Sequence, residues 1–294
     1  MLIKLTYKQL YINQNKRIEN LQKSLDKKDI EINKLKEELD TVRKKNLSNT
    51  NSKTAKNGYK EEDMVCDDLS INELRNKFSS ILGNEYDACS RVVGNHKCDI
   101  QSNNKKLTGQ VKKYRKGQFQ QLDRHWIDHF IKSIPELIGA SRILKDLFEY
   151  PLLDNETHVD KSTPLKKLCL SNYSHETITN FLLLFNNNKR LILNYAFIGT
   201  NSEIHTEYLF GVEYLNDKRI NIILFVITEI INYLETLDFK ISPKKTAIIL
   251  GDGIISLQRK GGDNGKKCSN QLQFKIIISK LIDKVEHIQY NYNL

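Results

Sequence analysis

The sequence predicts an α/β domain entered through a helical N-terminal arm. Three observations carry this expectation. A seven-residue repeat runs over 11–42, a polar stretch without periodicity follows, and from residue 59 onward short β-rich runs alternate with helix-length runs. The expected organisation is a coiled-coil helix over 1–46, a linker over 47–58 and a folded domain over 59–294.

In the arm, Tyr11, Gln14, Ile18, Leu21, Leu25, Lys28, Ile32, Leu35, Leu39 and Val42 step by three and four residues between largely charged positions. That is the seam of a coiled coil, most simply a homodimer, with Gln14 and Lys28 able to set its register. Residues 45–58, "KNLSNTNSKTAKNG", have no apolar periodicity and read as linker.

The first helix of the domain is expected over 59–82, where Met64, Val65, Leu69, Leu74, Phe78, Ile81 and Leu82 recur at helical spacing. Runs 88–93, 97–102 and 106–114 read as strands, the first two around Gly94-Asn95. Residues 119–137 read as helix up to Pro135, with the lone Trp126 in the core. Further on, 174–188 reads as helix, 190–199 and 208–215 as strands, and 219–238 as a helix or a strand leading into one. Residues 246–260 read as a hairpin about Gly251-Asp252-Gly253, and 270–282 as a strand or short helix.

Charge is unevenly placed. The chain of 294 residues carries a formal +10, but residues 1–60 hold 15 Lys/Arg against 7 Asp/Glu, leaving 31 against 29 for the rest. A basic surface on the domain must therefore be local. Five scattered cysteines without a CxxC pair fit reduced thiols inside a cell. The segment "INIILFVITEIINYL" (220–234) is too short and too interrupted to span a bilayer, so a soluble intracellular protein without a membrane partner is expected.

The chemistry gathers in "NHKCDIQSNNKKLTGQVKKYRKGQFQQLDRHW" (95–126). If 97–102 and 107–113 are adjacent strands, Gln110 and Lys112 share a face because side chains alternate along a strand. Asp99 can share that face, and Glu62 on the preceding helix can reach the same edge. Carboxylates, an amide oxygen and a lysine at one sheet edge are what phosphodiester hydrolysis needs. Hard oxygen ligands hold Mg²⁺, and a lysine steadies phosphate oxygens or a water.

At "CD" (98–99), ten intervening residues and "QVK" (110–112), the sequence resembles the restriction-endonuclease-like superfamily, with its PD-(D/E)xK pattern. The resemblance is greatest to type II restriction enzymes. Its core spans about residues 59–131. It implies a mixed sheet flanked by helices, Asp99 as principal metal ligand, Lys112 beside the water, and an acidic residue on the preceding helix. Within "KEED" that residue is taken as Glu62 rather than Glu61 or Asp63. The chain departs from the pattern twice. Cys98 stands where the superfamily has proline, and Gln110 replaces its second acidic residue with a weaker ligand.

Double-stranded DNA is the implied partner, cut at a specific and palindromic sequence by a homodimer paired through 11–42. Beyond Lys112, the basic run places Arg115 and Lys116 where duplex phosphates would pass, with Lys113 facing away but counted among the DNA-binding residues, and Gln118 and Gln121, one turn apart on the following helix, can face the site or a phosphate. A second polar segment, "SLQRKGGDNGKKCSNQLQFK" (256–275), holds Gln258, Arg259, Lys260, Lys266, Lys267, Asn270 and Gln271. Arginine pairs with guanine and amides with adenine, so this loop is expected to read bases. The alternative expectation is a non-catalytic DNA-binding or scaffold protein with a degraded site, which Gln110 favours and Asp99 with Lys112 oppose.

Overall fold

The computed structural model describes residues 21–23, 25, 27, 28, 31, 32, 34, 35 and 58–292, apart from 84, 95, 164, 166–172, 200 and 201. The chain divides into two units, Met1–Gly58 and Tyr59–Leu294. Of the arm, only the ten residues between 21 and 35 are described. They are helical, and Leu21, Leu25, Ile32 and Leu35 stand exposed on them. The rest of the expected seam lies outside the described residues.

Helix α1 covers 58–68 and α2 covers Asn72–Leu82. The single helix expected over 59–82 is therefore two. The chain turns at 69–71, where the Ile71 N–H donates to the Asp68 carbonyl and Ile71 itself is extended. Three strands follow, β1 (Cys89–Arg91), β2 (Ile100–Ser102) and β3 (Thr108–Tyr114), then β4 (Gln120–His125), α3 (Ile127–Ser133) and α4 (Ser141–Phe148). A small hairpin of β5 (Leu152–Leu153) and β6 (His158–Val159) encloses a one-turn α5 (Asp154–Thr157). Helices α6 (His175–Asn187) and α7 (Lys189–Phe197) lead to β7 (Tyr208–Leu215), β8 (Lys218–Val226) and α8 (Ile227–Glu235). The chain finishes with β9 (Phe239–Ile241), β10 (Ala247–Leu250), β11 (Ile255–Arg259), β12 (Leu272–Ile276) and β13 (His287–Asn291).

The strands form a six-stranded sheet, β1-β2-β3-β7-β8-β13, and a five-stranded sheet, β4-β12-β11-β10-β9. The first is mixed, because β3 pairs with β7 in parallel while its other neighbours are antiparallel. Its two faces are both buried, and the strand alternation divides them. Val111, Phe210, Val212, Ile222 and Leu224 pack with Val65, Leu69, Leu74 and Phe78 of α1 and α2. Tyr114, Leu209, Ile223 and Phe225 join the larger core, which takes in α3, α4, α6–α8 and the second sheet.

Two expected elements are corrected. Residues 120–125, expected as helix, form β4. That strand has one fully inward apolar residue, Leu122, and is held by pairing to β12, with Leu272 opposite His125 and Phe274 opposite Asp123. Residues 190–199, expected as a strand, form α7. A short apolar run does not distinguish strand from helix by periodicity, and here Ile192, Leu193, Ala196 and Phe197 are buried on one helical face. Trp126, expected in the core, is 37% exposed. The hairpin at 251–253 and the strand opening 219–238 are as read, the latter continuing into α8. Among the described residues no helix is long and apolar enough to cross a membrane.

Gly109 shows how tightly β3 is seated. A Cβ there would lie 2.5 Å from Cε2 of the fully buried Phe210 and 3.1 Å from the Ile100 side chain. Gly109→Ala is expected to lose about 1–3 kcal/mol by overpacking. An unchanged denaturant midpoint would contradict that close approach.

Candidate active site

Asp99 sits in the turn just ahead of β2. Its N–H donates to the Gly109 carbonyl and its own carbonyl accepts from Val92, both at 2.9 Å, so the backbone is tied to β3 on one side and the β1 exit on the other. The carboxylate then points along β3. Its Oδ2 accepts the Val111 N–H at 2.8 Å and lies 3.2 Å from Lys112 Nζ. Both side chains are largely but not wholly buried, at 21% and 17% exposure. Cys98, beside Asp99, turns its thiol inward to the Ile100 carbonyl at 2.9 Å, and burial pushes it up to about 12. It is a packing residue and not a nucleophile.

Gln110 is buried at 3% exposure. Its Nε2 donates to the Lys97 carbonyl at 3.4 Å, while Oε1 is buried without a hydrogen-bond partner among the described residues.

The three acids of "KEED" separate by the 100° step of the helix. Glu61 turns inward to a buried network. Its carboxylate accepts from Tyr214 and lies 3.2 Å from Arg219 Nε, and Arg219 Nη2 meets Asp68 Oδ2 at 2.6 Å. Asp63 turns outward to Arg91 at 3.4 Å. Glu62 is half-buried and lies within electrostatic reach of Asp99 and Lys112. Burial first, and the Asp99 charge second, raise it to about 7, with Lys112 and Arg91 opposing.

That shift has a sign that can be tested. The carboxyl is raised, so the stabilising effect of its neutral form is complete below the ordinary value of 4.5 and is lost as pH rises through about 7. Glu62→Gln is expected to stabilise the protein by about 1 kcal/mol near pH 8 and by about nothing near pH 4, a figure reduced for solvent screening of a half-buried group. Calorimetry at the two pH values checks it. An equal effect at both would remove the burial cost assigned to this carboxylate.

The oxygen set suits a hard divalent cation. Glu62 and Asp99 supply charge, and the orphaned Gln110 Oε1 is a neutral acceptor in want of a partner. This set contains two carboxylates. Among the described residues no group of three or more His, Cys, Asp or Glu side chains is placed to hold a metal.

The expected DNA-facing residues fall into two classes. Lys116 and Gln118 are exposed. Lys113 is exposed on the face opposite Lys112, its Nζ 3.4 Å from the Tyr214 ring centre, and Arg115 pairs with Asp217 at 2.6 Å. Gln121 accepts from Gln273 at 2.6 Å. In the 258–271 segment, Lys266 is exposed and Lys267 lies 3.6 Å from Glu156, while Gln258 and Gln271 are half-buried. Three others are engaged internally. Arg259 lies over the Tyr150 ring and donates to the Lys260 and Ser269 carbonyls, and Lys260 pairs with Asp263. Asn270 uses both ends of its amide on the Tyr150 backbone, each at 3.0 Å.

The sequence reading did not single out Lys97 and Asp123. Lys97 Nζ contacts Asp123 Oδ2 and the Leu122 carbonyl, both at 2.9 Å, and Asp123 Oδ1 lies 2.9 Å from His125 Nε2. Burial alone would raise the Asp123 carboxyl, but Lys97 and His125 outweigh it and hold it at about 2. A cavity of about 290 Å³ opens here, lined in part by His96, His125, His129 and Tyr195. Nothing in the local sequence joins residues 97 and 123, so no spacing rule finds the pair.

Against known proteins, the family model for the R.HinP1I restriction endonuclease matches residues 89–282, about two thirds of the chain. The match includes Asp99, Gln110 and Lys112 and begins after Glu62. Among solved structures, the chain is similar to restriction endonuclease MspI, crystallised in complex with its cognate DNA, at 11% identity and a TM-score of 0.42, covering 69% of this chain and 77% of that one. No curated protein sequence matches.

Proposed function

Taking as premise that this chain belongs to the R.HinP1I restriction endonuclease family, and is thus a restriction-type DNA endonuclease, we propose that it cleaves double-stranded DNA at one specific palindromic sequence in a Mg²⁺-dependent reaction. The observation that carries this reading is the shared Asp99 Oδ2. One carboxylate oxygen holds both the Val111 N–H and the Lys112 ammonium, which leaves the other oxygen for a cation.

Asp99, Glu62 and Gln110 would hold the ion. When bound, Mg²⁺ supplies Lewis acidity toward a water and neutralises charge on the phosphorane. The chain's own residues do the rest. Val111 N–H fixes the Asp99 rotamer. Lys112, anchored at 3.2 Å to the same oxygen, presents an ammonium beside the phosphate, where it can orient the attacking water and steady a developing oxyanion. A bound cation would offset the Asp99 charge and favour the ionised form of Glu62. Arg115, Lys116 and Gln118 continue from β3 as the backbone-contacting strip, while Lys113 and Gln121 would join it only by leaving the Tyr214 ring and Gln273. Lys266, Lys267, Gln258 and Gln271 are the residues of the second segment whose side chains are freest to meet DNA. Use of Arg259, Lys260 or Asn270 there requires exchange of the internal contacts described above.

Purified protein incubated with plasmid and genomic DNA in Mg²⁺ tests the reading, with EDTA as control. Discrete fragments that vanish in EDTA support it. A smear keeps the chemistry and removes the specificity, and uncut DNA removes both.

Two-strand cutting at a palindrome calls for two sites related by a two-fold axis. We place the dimer contact on the heptad seam of 11–42, of whose described residues Leu21 and Leu25 are 63% and 58% exposed. The full chain is expected to sediment as a dimer, and Leu21→Glu with Leu25→Glu as a monomer. A monomeric wild type would contradict this assembly.

A further inference from the structure

Lys97 lies two residues before Asp99, and each of its polar atoms is committed. Its N–H donates to Ser202 Oγ at 3.2 Å. Its carbonyl accepts the Gln110 amide at 3.4 Å. Its ammonium meets Asp123 Oδ2 and the Leu122 carbonyl, both at 2.9 Å. The aliphatic stem lies flush on Gly199, where an added Cβ would come within 2.5 Å of Lys97 Cβ. The side chain is 7% exposed and Asp123 is 16% exposed.

These contacts join three parts of the domain. Ser202 and Gly199 belong to the segment after α7. Gln110 belongs to β3 in the first sheet. Leu122 and Asp123 belong to β4 in the second sheet, where Asp123 stands opposite Phe274 of β12. β12 follows directly on the 258–271 segment. Lys97 is thus a single residue that spans the two sheets at the Asp99 turn.

The Gln110 contact has a chemical consequence. An amide side chain can present either its oxygen or its NH₂ group to a given neighbour. A carbonyl acceptor at Lys97 takes the NH₂ end. It therefore selects the rotamer that leaves Oε1 as the unpaired atom. A carboxylate at this position would need no such selection, because its two ends are alike. The substitution of Gln for an acid at 110 is what gives the Lys97 carbonyl a task.

We propose that Lys97, held by Asp123, is a positioning residue for the cleavage reaction: it fixes the Asp99 turn against the second sheet and sets Gln110 with its oxygen available. This rests on the proposed roles of Asp99 and Gln110. The ammonium–carboxylate pair clamps the residue whose backbone does the positioning, so weakening the clamp should misplace both groups without touching DNA. A small misplacement of a reacting constellation lowers turnover steeply and leaves binding intact.

The variants are Asp123→Asn, which keeps size and an acceptor for Lys97, and Lys97→Met with Asp123→Asn, which removes both charges together so that neither is left buried alone. Four quantities are read on the full chain with the DNA that wild type cuts: cooperative melting, DNA affinity without divalent ion, kcat against KM, and the Mg²⁺ concentration giving half-maximal rate. Expected are cooperative melting, unchanged affinity and KM, a kcat lower by about tenfold in the single and about a hundredfold in the double variant, and a higher Mg²⁺ midpoint. Folded variants with wild-type kcat and Mg²⁺ midpoint overturn the proposal. Loss of cooperative melting in Asp123→Asn also overturns it, since the pair would then be a stability element. Asp99→Ala runs alongside. If it still cuts, the active-site reading has failed, whatever the Lys97 variants do.

Discussion

Asp99→Ala is expected to bind DNA as wild type does and to cut it at least about a thousandfold more slowly. The size follows from how much one side chain does. Its Oδ2 holds Lys112 and the Val111 N–H, and its charge is the second cause of the raised Glu62 carboxyl. Removing it takes away a proposed metal ligand and the anchor of the ammonium in one step. Glu62 would then ionise more readily, which leaves a carboxylate beside an unanchored lysine and no pair of acids. Binding should survive because the contact strip at Arg115, Lys116 and Gln118 is untouched. Gel shift in EDTA and cleavage in Mg²⁺ separate the two effects. Cutting within about tenfold of wild type would take Asp99 out of the reaction.

The second large effect is on stability. Arg219 bridges Glu61 and Asp68 of α1 at 3.2 and 2.6 Å, lies under the Tyr292 ring, and is only 10% exposed. Tyr214 and Tyr292 donate to the same two carboxylates. Arg219→Met leaves two buried acids facing each other with no cation, so a loss of about 3–5 kcal/mol is expected. For a domain of this size that lowers the melting temperature by roughly 10 °C. Melting followed by circular dichroism checks it, and a change below about 1 kcal/mol would show that the tyrosines alone satisfy the acids. Glu62 is the next residue along this helix, so the same network that seats α1 also aims its neighbour at Asp99.

The parts of the site that follow from strand periodicity are legible in the sequence. Gln110 and Lys112 share a face because they are two apart, and a seven-residue strand with both neighbours paired leaves no freedom in that. Asp99 meets them because the turn at 102–106 is short. The acids of "KEED" are legible as a group but not individually, because the choice among them depends on where Arg219 lies, more than 150 residues away. β4 is not legible. Its sequence is polar, with one inward leucine, and only its pairing with β12 makes it a strand. The run at 190–199 fails for the opposite reason, since its apolar stretches 191–193 and 195–198 suit either periodicity. The second sheet, and with it Lys97–Asp123, exists only through contacts between distant segments.

The parallel pairing of β3 with β7 has a consequence for how the protein reaches this state. Gln110 lies opposite Leu209 and Lys112 opposite Gly211. The strand that carries the proposed chemistry therefore stays a sheet edge until about a hundred further residues have been made and folded back, bringing β4, four helices and the small hairpin with them. Closing so long a chain segment before the pair can form gives slow assembly and a high relative contact order. Residues 59–131 hold all four proposed catalytic groups, yet within that span β3 lacks its β7 partner and β4 its β12 partner. A nascent chain released at that length is expected to carry the full motif and no assembled site.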